Sequence, residues 1–282
     1  MGILKDLGDC MDPIGLPYGG IAEALVARAA AWGGQPDFVF PSTVVRKGRG
    51  SREIGDCLIW VGDTVLVVSV KSRDPNLRPS DSLDRTKSWI DKAVQSACRQ
   101  IDGTIRKLQD VPGLRLRNMR GVEVPWDPDG VKAFLGVVVL DCTVPNGHVA
   151  EVAATRAPVM TVAANDWSVI NEVIWSSSLL VKYVETRVTL PPAPLASELD
   201  IFGHVIEADK SGSAIVLPDG QPEPGMWGDV QRRWPDVGVR NADDGRYALV
   251  LDVMMASLQN DLLVDSSPNP WDRIEIVRVL DA

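Results

Sequence analysis

The chain has 282 residues with 45% hydrophobic and 24% charged positions, the make-up of a globular protein of one large or two ordinary domains. No apolar run reaches about 18 residues, so no membrane-spanning helix is expected, and the N-terminal stretch lacks the long apolar core of a signal peptide. Four cysteines without paired spacing (Cys10, Cys57, Cys98, Cys142) and only two histidines (His148, His204) argue against a disulfide framework, a zinc site and histidine chemistry, and the chain reads as reduced and cytoplasmic.

A first helix is expected over residues 20–33, alanine-rich and stopped by Gly33-Gly34. A strand follows near Phe38–Val45, with Pro41 marking an edge or an irregular start. The basic loop Arg46-Lys47-Gly48-Arg49-Gly50-Ser51-Arg52 comes next, flexible through its glycines and able to meet backbone phosphates through its cations. Residues 55–71 then read as two apolar strands around the tight turn Gly62-Asp63. A long helix is expected over about Leu83–Leu108, capped by Asp81 or Ser82, with Ile90, Val94, Ala97, Ile101, Ile105 and Leu108 on its apolar stripe. Arg85, Lys92, Arg99 and Arg106 recur every seven residues on another stripe, where Gln95 lies between Lys92 and Arg99. That stripe is either a solvated helix face or a contact for phosphates.

Asp110–Gly130 reads as a loop, Ala133–Leu140 as a strongly apolar strand, and Pro158–Ala163 as a short strand. Asn165 or Asp166 is expected to cap a helix running to about Arg187, and Leu190–Leu195 reads as a proline-rich linker. This gives one unit over residues 1–190 and an acidic extension over 196–282. In the extension, Ile215–Leu217 and Ile274–Leu280 are candidate strands and Tyr247–Leu263 a candidate helix. The fold class expected is α/β: a sheet with helices against it, in the order helix, three strands, helix, strand, followed by a mixed C-terminal segment.

The net charge of −9 is unevenly spread. Arg46–Arg120 carries 16 Lys/Arg against 9 Asp/Glu, so a basic segment sits inside an acidic protein. A focused phosphate-binding groove and a merely solvated surface both fit that pattern.

The hairpin carries the chemistry. With a two-residue turn, Val61 faces Thr64, and counting back places Asp56 opposite Ser69. Side chains alternate, so Ser69 and Lys71 share the face of Asp56. The element order, the position of Asp56 and the ending Val68-Ser69-Val70-Lys71 together resemble the restriction-endonuclease-like, or PD-(D/E)xK, nuclease superfamily, its nuclease-related and bacterial restriction-like branches most. The resemblance covers roughly residues 18–142 and at its widest runs on to Arg187. It implies a restriction-endonuclease-like core. It also implies that Glu23 takes the helix-glutamate position, Asp56 the aspartate, and Ser69-Val70-Lys71 the acidic-x-lysine segment, with Gln95 matching a glutamine some related families place on the next helix.

What the resemblance implies chemically is DNA phosphodiester hydrolysis with magnesium or manganese, hard ions that prefer carboxylate and water oxygens. Glu23, Asp56 and Ser69 would surround the ion. Lys71 would act on the attacking water or the phosphate, and Gln95 would contact the phosphate. Arg46, Lys47, Arg49, Arg52, Lys92 and Arg99 would hold the DNA. Ser69 departs from the pattern, since a neutral hydroxyl stands where the family has an acid. Glu53 and Asp74 are nearby acids, with Glu53 on the opposite face unless the strand bulges.

Two other readings stay open: a nuclease-like module that binds nucleic acid or a partner without catalysis, and an assembly subunit or homo-oligomer using tryptophans of the second half as interface anchors.

Overall fold

The computed structural model describes residues 17–33, 36–47, 50–74, 82–174 and 176–234. Arg49, Cys10, Asp81, Trp175 and Trp271, and the elements expected over Tyr247–Leu263 and Ile274–Leu280, lie outside the described residues. The chain runs α1 (Tyr18–Gly33), β1 (Val39–Lys47), β2 (Gly50–Val61), β3 (Thr64–Ser72), α2 (Leu83–Asp110), β4 (Arg115–Arg117), β5 (Glu123–Pro125), β6 (Ala133–Asp141), β7 (Val159–Ala163), α3 (Ala164–Ile174), α4 (Ser177–Arg187), α5 (Glu198–Ser211) and α6 (Met226–Arg233). Among the described residues no helix is long and apolar enough to cross a membrane.

Five strands form one mixed sheet in the order β1-β2-β3-β6-β7. β1, β2 and β3 are antiparallel neighbours, and β6 and β7 run parallel to β3. The parallel β3–β6 pair needs a crossover, which α2 supplies. Both strands are apolar almost throughout and buried accordingly, as expected of central strands covered on both faces. On one face, Val26, Ala27 and Ala30 of α1 pack with Cys57, Val68, Val70 and Val139. On the other, Ile90, Val94, Ala97 and Ile101 of α2 pack with Leu58, Val65, Val67 and Val138.

The small deviations from expectation have local causes. Arg46 and Lys47 belong to β1 and Arg52 to β2, so the basic stretch is the end of a two-stranded ribbon (Lys47 faces Gly50) and not a loop throughout. The Asp110–Gly130 segment contains the short β4–β5 hairpin, and Trp126, in the following loop, packs against Trp60 with the rings tilted and their centroids 4.8 Å apart. The single helix expected to reach Arg187 is two, because Ser176 is extended and its hydroxyl accepts from the Leu179 N–H at 3.2 Å, starting α4 afresh. Ile215–Leu217 is irregular and not a strand. The proline-rich linker is packed instead of free: Ala193 and Leu195 are buried, and the Leu195 N–H donates to the His148 carbonyl at 3.0 Å. Beyond it, Phe202 of α5 enters the α1-side core, touching Tyr183 edge-on at 5.1 Å.

Candidate functional site

The β2–β3 hairpin closes as its sequence requires, through Gly62 at φ 58, with Val61 facing Thr64. Pairing continues to Cys57 opposite Val68 and stops. The cause lies one step further along β2. Between the β1 partners Pro41 and Thr43, β2 advances from Cys57 to Ile54, one residue more than β1, and Gly55 takes φ 64. This is a β-bulge, which bends its strand and re-aims the neighbouring side chain. Past it β2 pairs only with β1, so β2 and β3 fork at Asp56.

The Asp56 carboxylate fills the fork. Its Oδ2 accepts from the main-chain N–H of Val70 at 2.7 Å and from Ser69 Oγ at 3.2 Å. Its Oδ1 accepts from Gln100 Nε2 at 2.5 Å. The Gln100 carbonyl in turn accepts from Lys71 Nζ at 2.6 Å and lies 3.3 Å from Ser69 Oγ. The two ends of the amide are thereby distinguished, since reversing them would set N–H groups against an ammonium and an oxygen against a carboxylate. Asp56 is 7% exposed and Ser69 1%, while Lys71 is only half-buried, so the network opens to solvent on the lysine side.

Gln100 arrives because α2 lies close to the fork. Ala93, Ala97 and Thr104 are buried on the same side of the helix, at the spacings of neighbouring turns. A methyl group on Gly55 would sit 3.2 Å from Thr104 Cγ2, so the bulge and the helix are in contact. Gln95 is exposed, as are Lys92 and Arg99. It lies five residues before Gln100, roughly 140° around the helix. Gln100 is thus the functional candidate the linear reading passes over, and its signal is its phase with Ala93, Ala97 and Thr104.

Glu23 is half-buried on α1, whose core residues lie on the other face of the sheet. Asp74 is near Tyr18 and Asp141: burial, then the Asp141 and Asp74 carboxylates, push the Tyr18 phenol upward. Glu53 lies on β2 beyond the bulge, opposite Val44. Arg73, just after Lys71, donates to the Thr86 hydroxyl at 3.3 Å and stacks over Trp89 at 5.5 Å, fixing the route from β3 into α2. Burial, with the adjacent Asp56 carboxylate, raises the Cys57 thiol far above its ordinary value, so no thiolate is available there.

The donor set does not suit a divalent ion as it stands. Of its four side chains only Asp56 is an acid, and Lys71 cancels that charge. Both Asp56 oxygens already accept from protein donors, and the amide oxygen faces an ammonium. Magnesium favours several hard, preferably anionic oxygens. Among the described residues no group of three or more His, Cys, Asp or Glu is placed to hold a metal.

The site is a buried carboxylate and a half-exposed ammonium joined by a neutral amide at a strand fork. It can present one positive charge to an anion while holding an acid behind it. No family model, curated protein or solved structure matches this chain.

Proposed function

We propose that the protein is a nuclease of the PD-(D/E)xK type acting on DNA phosphodiesters. The observation that carries this reading is the meeting of Asp56 and Lys71 at the β2–β3 fork, bridged by Gln100. The ammonium is the group a phosphodiester oxygen would approach, and it would stabilise negative charge building there during displacement. Asp56 keeps the fork in register by holding the Val70 N–H, and it fixes the amide that aims Lys71.

The surroundings favour a polyanion. Arg46, Lys47 and Arg52 lie on the ribbon that leaves the sheet past the fork, at the end where β3 delivers Lys71. Lys92 and Arg99 are exposed on α2, the helix that supplies Gln100. Cations so spread would hold a sugar-phosphate backbone without reading bases. Magnesium or manganese is the cofactor this reaction class calls for, and the site would have to rearrange to accept it.

The test is cleavage of linear, circular and single-stranded DNA with magnesium or manganese, beside Asp56→Ala and Lys71→Ala. Cleavage by the wild type that both substitutions abolish is the expected result. Metal-dependent cutting that survives both changes rejects the proposal.

A second reading is favoured by the neutral Ser69 and the closed hydrogen-bond network: a nuclease-like module that binds nucleic acid without cutting it. It calls for DNA binding that weakens with salt, is indifferent to EDTA, and is accompanied by no cleavage.

A further inference from the structure

The large apolar side chains of α1 lie on its outside. Its buried side is built from Ala22, Val26, Ala27 and Ala30, whereas Leu25 and Trp32 are each 55% exposed. Seven residues place those two on one side of the helix, two turns and about 10 Å apart. Scattered exposed apolar residues are ordinary, but these two adjoin a groove. The groove, about 360 Å³, runs along Leu25, Ala29 and Trp32, with α3 as its other wall and the buried Met119 in its lining. α3 is fixed beside α1 because the Trp167 indole N–H donates to the Val26 carbonyl at 3.2 Å.

The groove carries one charge of each sign. Arg28 of α1 and Glu172 of α3 both line it and both are exposed. Neither side chain has an ion-pair partner among the described residues. We infer that this face binds a second copy of the chain about a two-fold axis, with Arg28 of each copy against the partner's Glu172 and Trp32 of each packed on the partner's groove.

The charges select that occupant. In a two-fold contact the same patch lies on both sides, so a contact between two different positions is made twice. A patch with one cation and one anion beside an apolar centre is complementary to itself. A uniformly charged partner would satisfy one of the two groups and repel the other; a nucleic acid would meet the Glu172 carboxylate. The residue types fit as well, since Trp, Met and Arg are enriched at the cores of interfaces and Trp and Arg among their strongest anchors. α1 and α2 cover opposite faces of the sheet, so a pair formed through α1 leaves Gln100, Lys92 and Arg99 of α2 open. The surface is therefore independent of what the fork does.

The test is sedimentation velocity of the full chain from about 1 to 100 µM. Wild-type protein is expected to form a reversible dimer. Trp32→Ala should weaken it at least about thirtyfold, as loss of an interface anchor does. Arg28→Glu and Glu172→Arg each set like charges together twice in the pair, and each should weaken the dimer at least about tenfold. The deciding arm mixes Arg28→Glu with Glu172→Arg. In the mixed pair both contacts again join opposite charges, so dimers should reappear that neither chain forms alone, and the chain carrying both substitutions should dimerise with itself.

A wild type that stays monomeric over this range overturns the inference, including the case in which residues outside the described ones cover the groove. Dimers indifferent to all three substitutions overturn it, as do weakened variants that mixing does not restore. The three side chains are exposed, so the variants are expected to fold, and urea unfolding checks this. If Trp32→Ala does not fold, the mixing arm decides.

Discussion

The carboxylate of Asp56 accepts the main-chain N–H of Val70 at 2.7 Å, a donor that an unbroken ladder would give to a backbone carbonyl of β2. One side chain thus closes the strand fork and anchors the candidate site. Asp56→Ala would leave the Val70 N–H and the Gln100 amide without their acceptor in a buried place. Stranding buried donors costs about 1–3 kcal/mol. The expected outcome is a lower urea midpoint at unchanged m-value. Asp56→Asn should recover part of the loss, since its carbonyl can serve Val70, but its amide nitrogen would then face the Gln100 nitrogen. Equal stability of Asp56→Ala and wild type would show that the fork does not depend on this bond.

Gly55 is the second support of the fork. Its φ of 64 is strained for any residue with a side chain, and a methyl there would press Thr104 Cγ2 at 3.2 Å. Gly55→Ala is expected to cost about 1–3 kcal/mol. It should also reduce any activity or binding that depends on Asp56, because the bulge aims that side chain. Thr104→Ser in the same chain relieves the contact but not the dihedral, so the double variant should recover only part of the loss. Full recovery would assign the whole cost to the contact.

Much of this site is legible in the sequence, for a definite reason. A two-residue turn at Gly62-Asp63 fixes the register of the hairpin, and alternation then puts Asp56, Ser69 and Lys71 on one face without further information. The bulge at Gly55 is less legible, because a glycine before an aspartate is equally consistent with a plain turn. Gln100 depends on how α2 is rotated against the sheet. The basic stripe draws the eye to Gln95, while the small residues Ala93 and Ala97 decide which edge of the helix approaches the fork. The C-terminal helices are missed for another reason. The prolines of Leu190–Leu195 suggest an extended spacer, and only tertiary contacts show it covering the core. Arg187 and Glu198, at either end of that stretch, form a buried pair at 2.9 Å, with Tyr183 donating to the same carboxylate at 2.6 Å. No local pattern announces such a pair, since each residue alone reads as surface.

The cations of α2 can be tested apart from catalysis. Lys92 and Arg99 are exposed, and replacing them should leave stability within about 0.5 kcal/mol. If they contact DNA phosphates, each should contribute roughly one unit to the slope of log K against log salt. Lys92→Ala with Arg99→Ala is therefore expected to flatten that slope by about two and to weaken binding alike for unrelated sequences. An unchanged slope would place the DNA elsewhere and leave the stripe as a solvated helix face.

A pH dependence of stability follows from Asp166, in the first turn of α3. Burial pushes its carboxyl up to about 6, with the nearby Glu198 and Asp200 adding in the same direction, and this outweighs the helix N-terminus and the hydrogen bonds that favour the charged form. Its Oδ2 is buried and has no hydrogen-bond partner among the described residues. In the unfolded chain the group titrates near its ordinary value of 3.8. Below about pH 4 both states hold the proton and Asp166 does not bear on stability. Between about 4 and 6 the folded state holds more proton than the unfolded one, so stability falls as pH rises, and above about 6 the cost is constant. Asp166→Asn keeps an oxygen for the Glu198 N–H and removes the charge. It should therefore stabilise the protein at pH 7 to 8 by about 1–3 kcal/mol and make no difference below pH 4. Thermal unfolding of both chains across this range measures the difference. A stabilisation that persists at pH 3.5 would mean that the asparagine gains by packing and not by the lost charge.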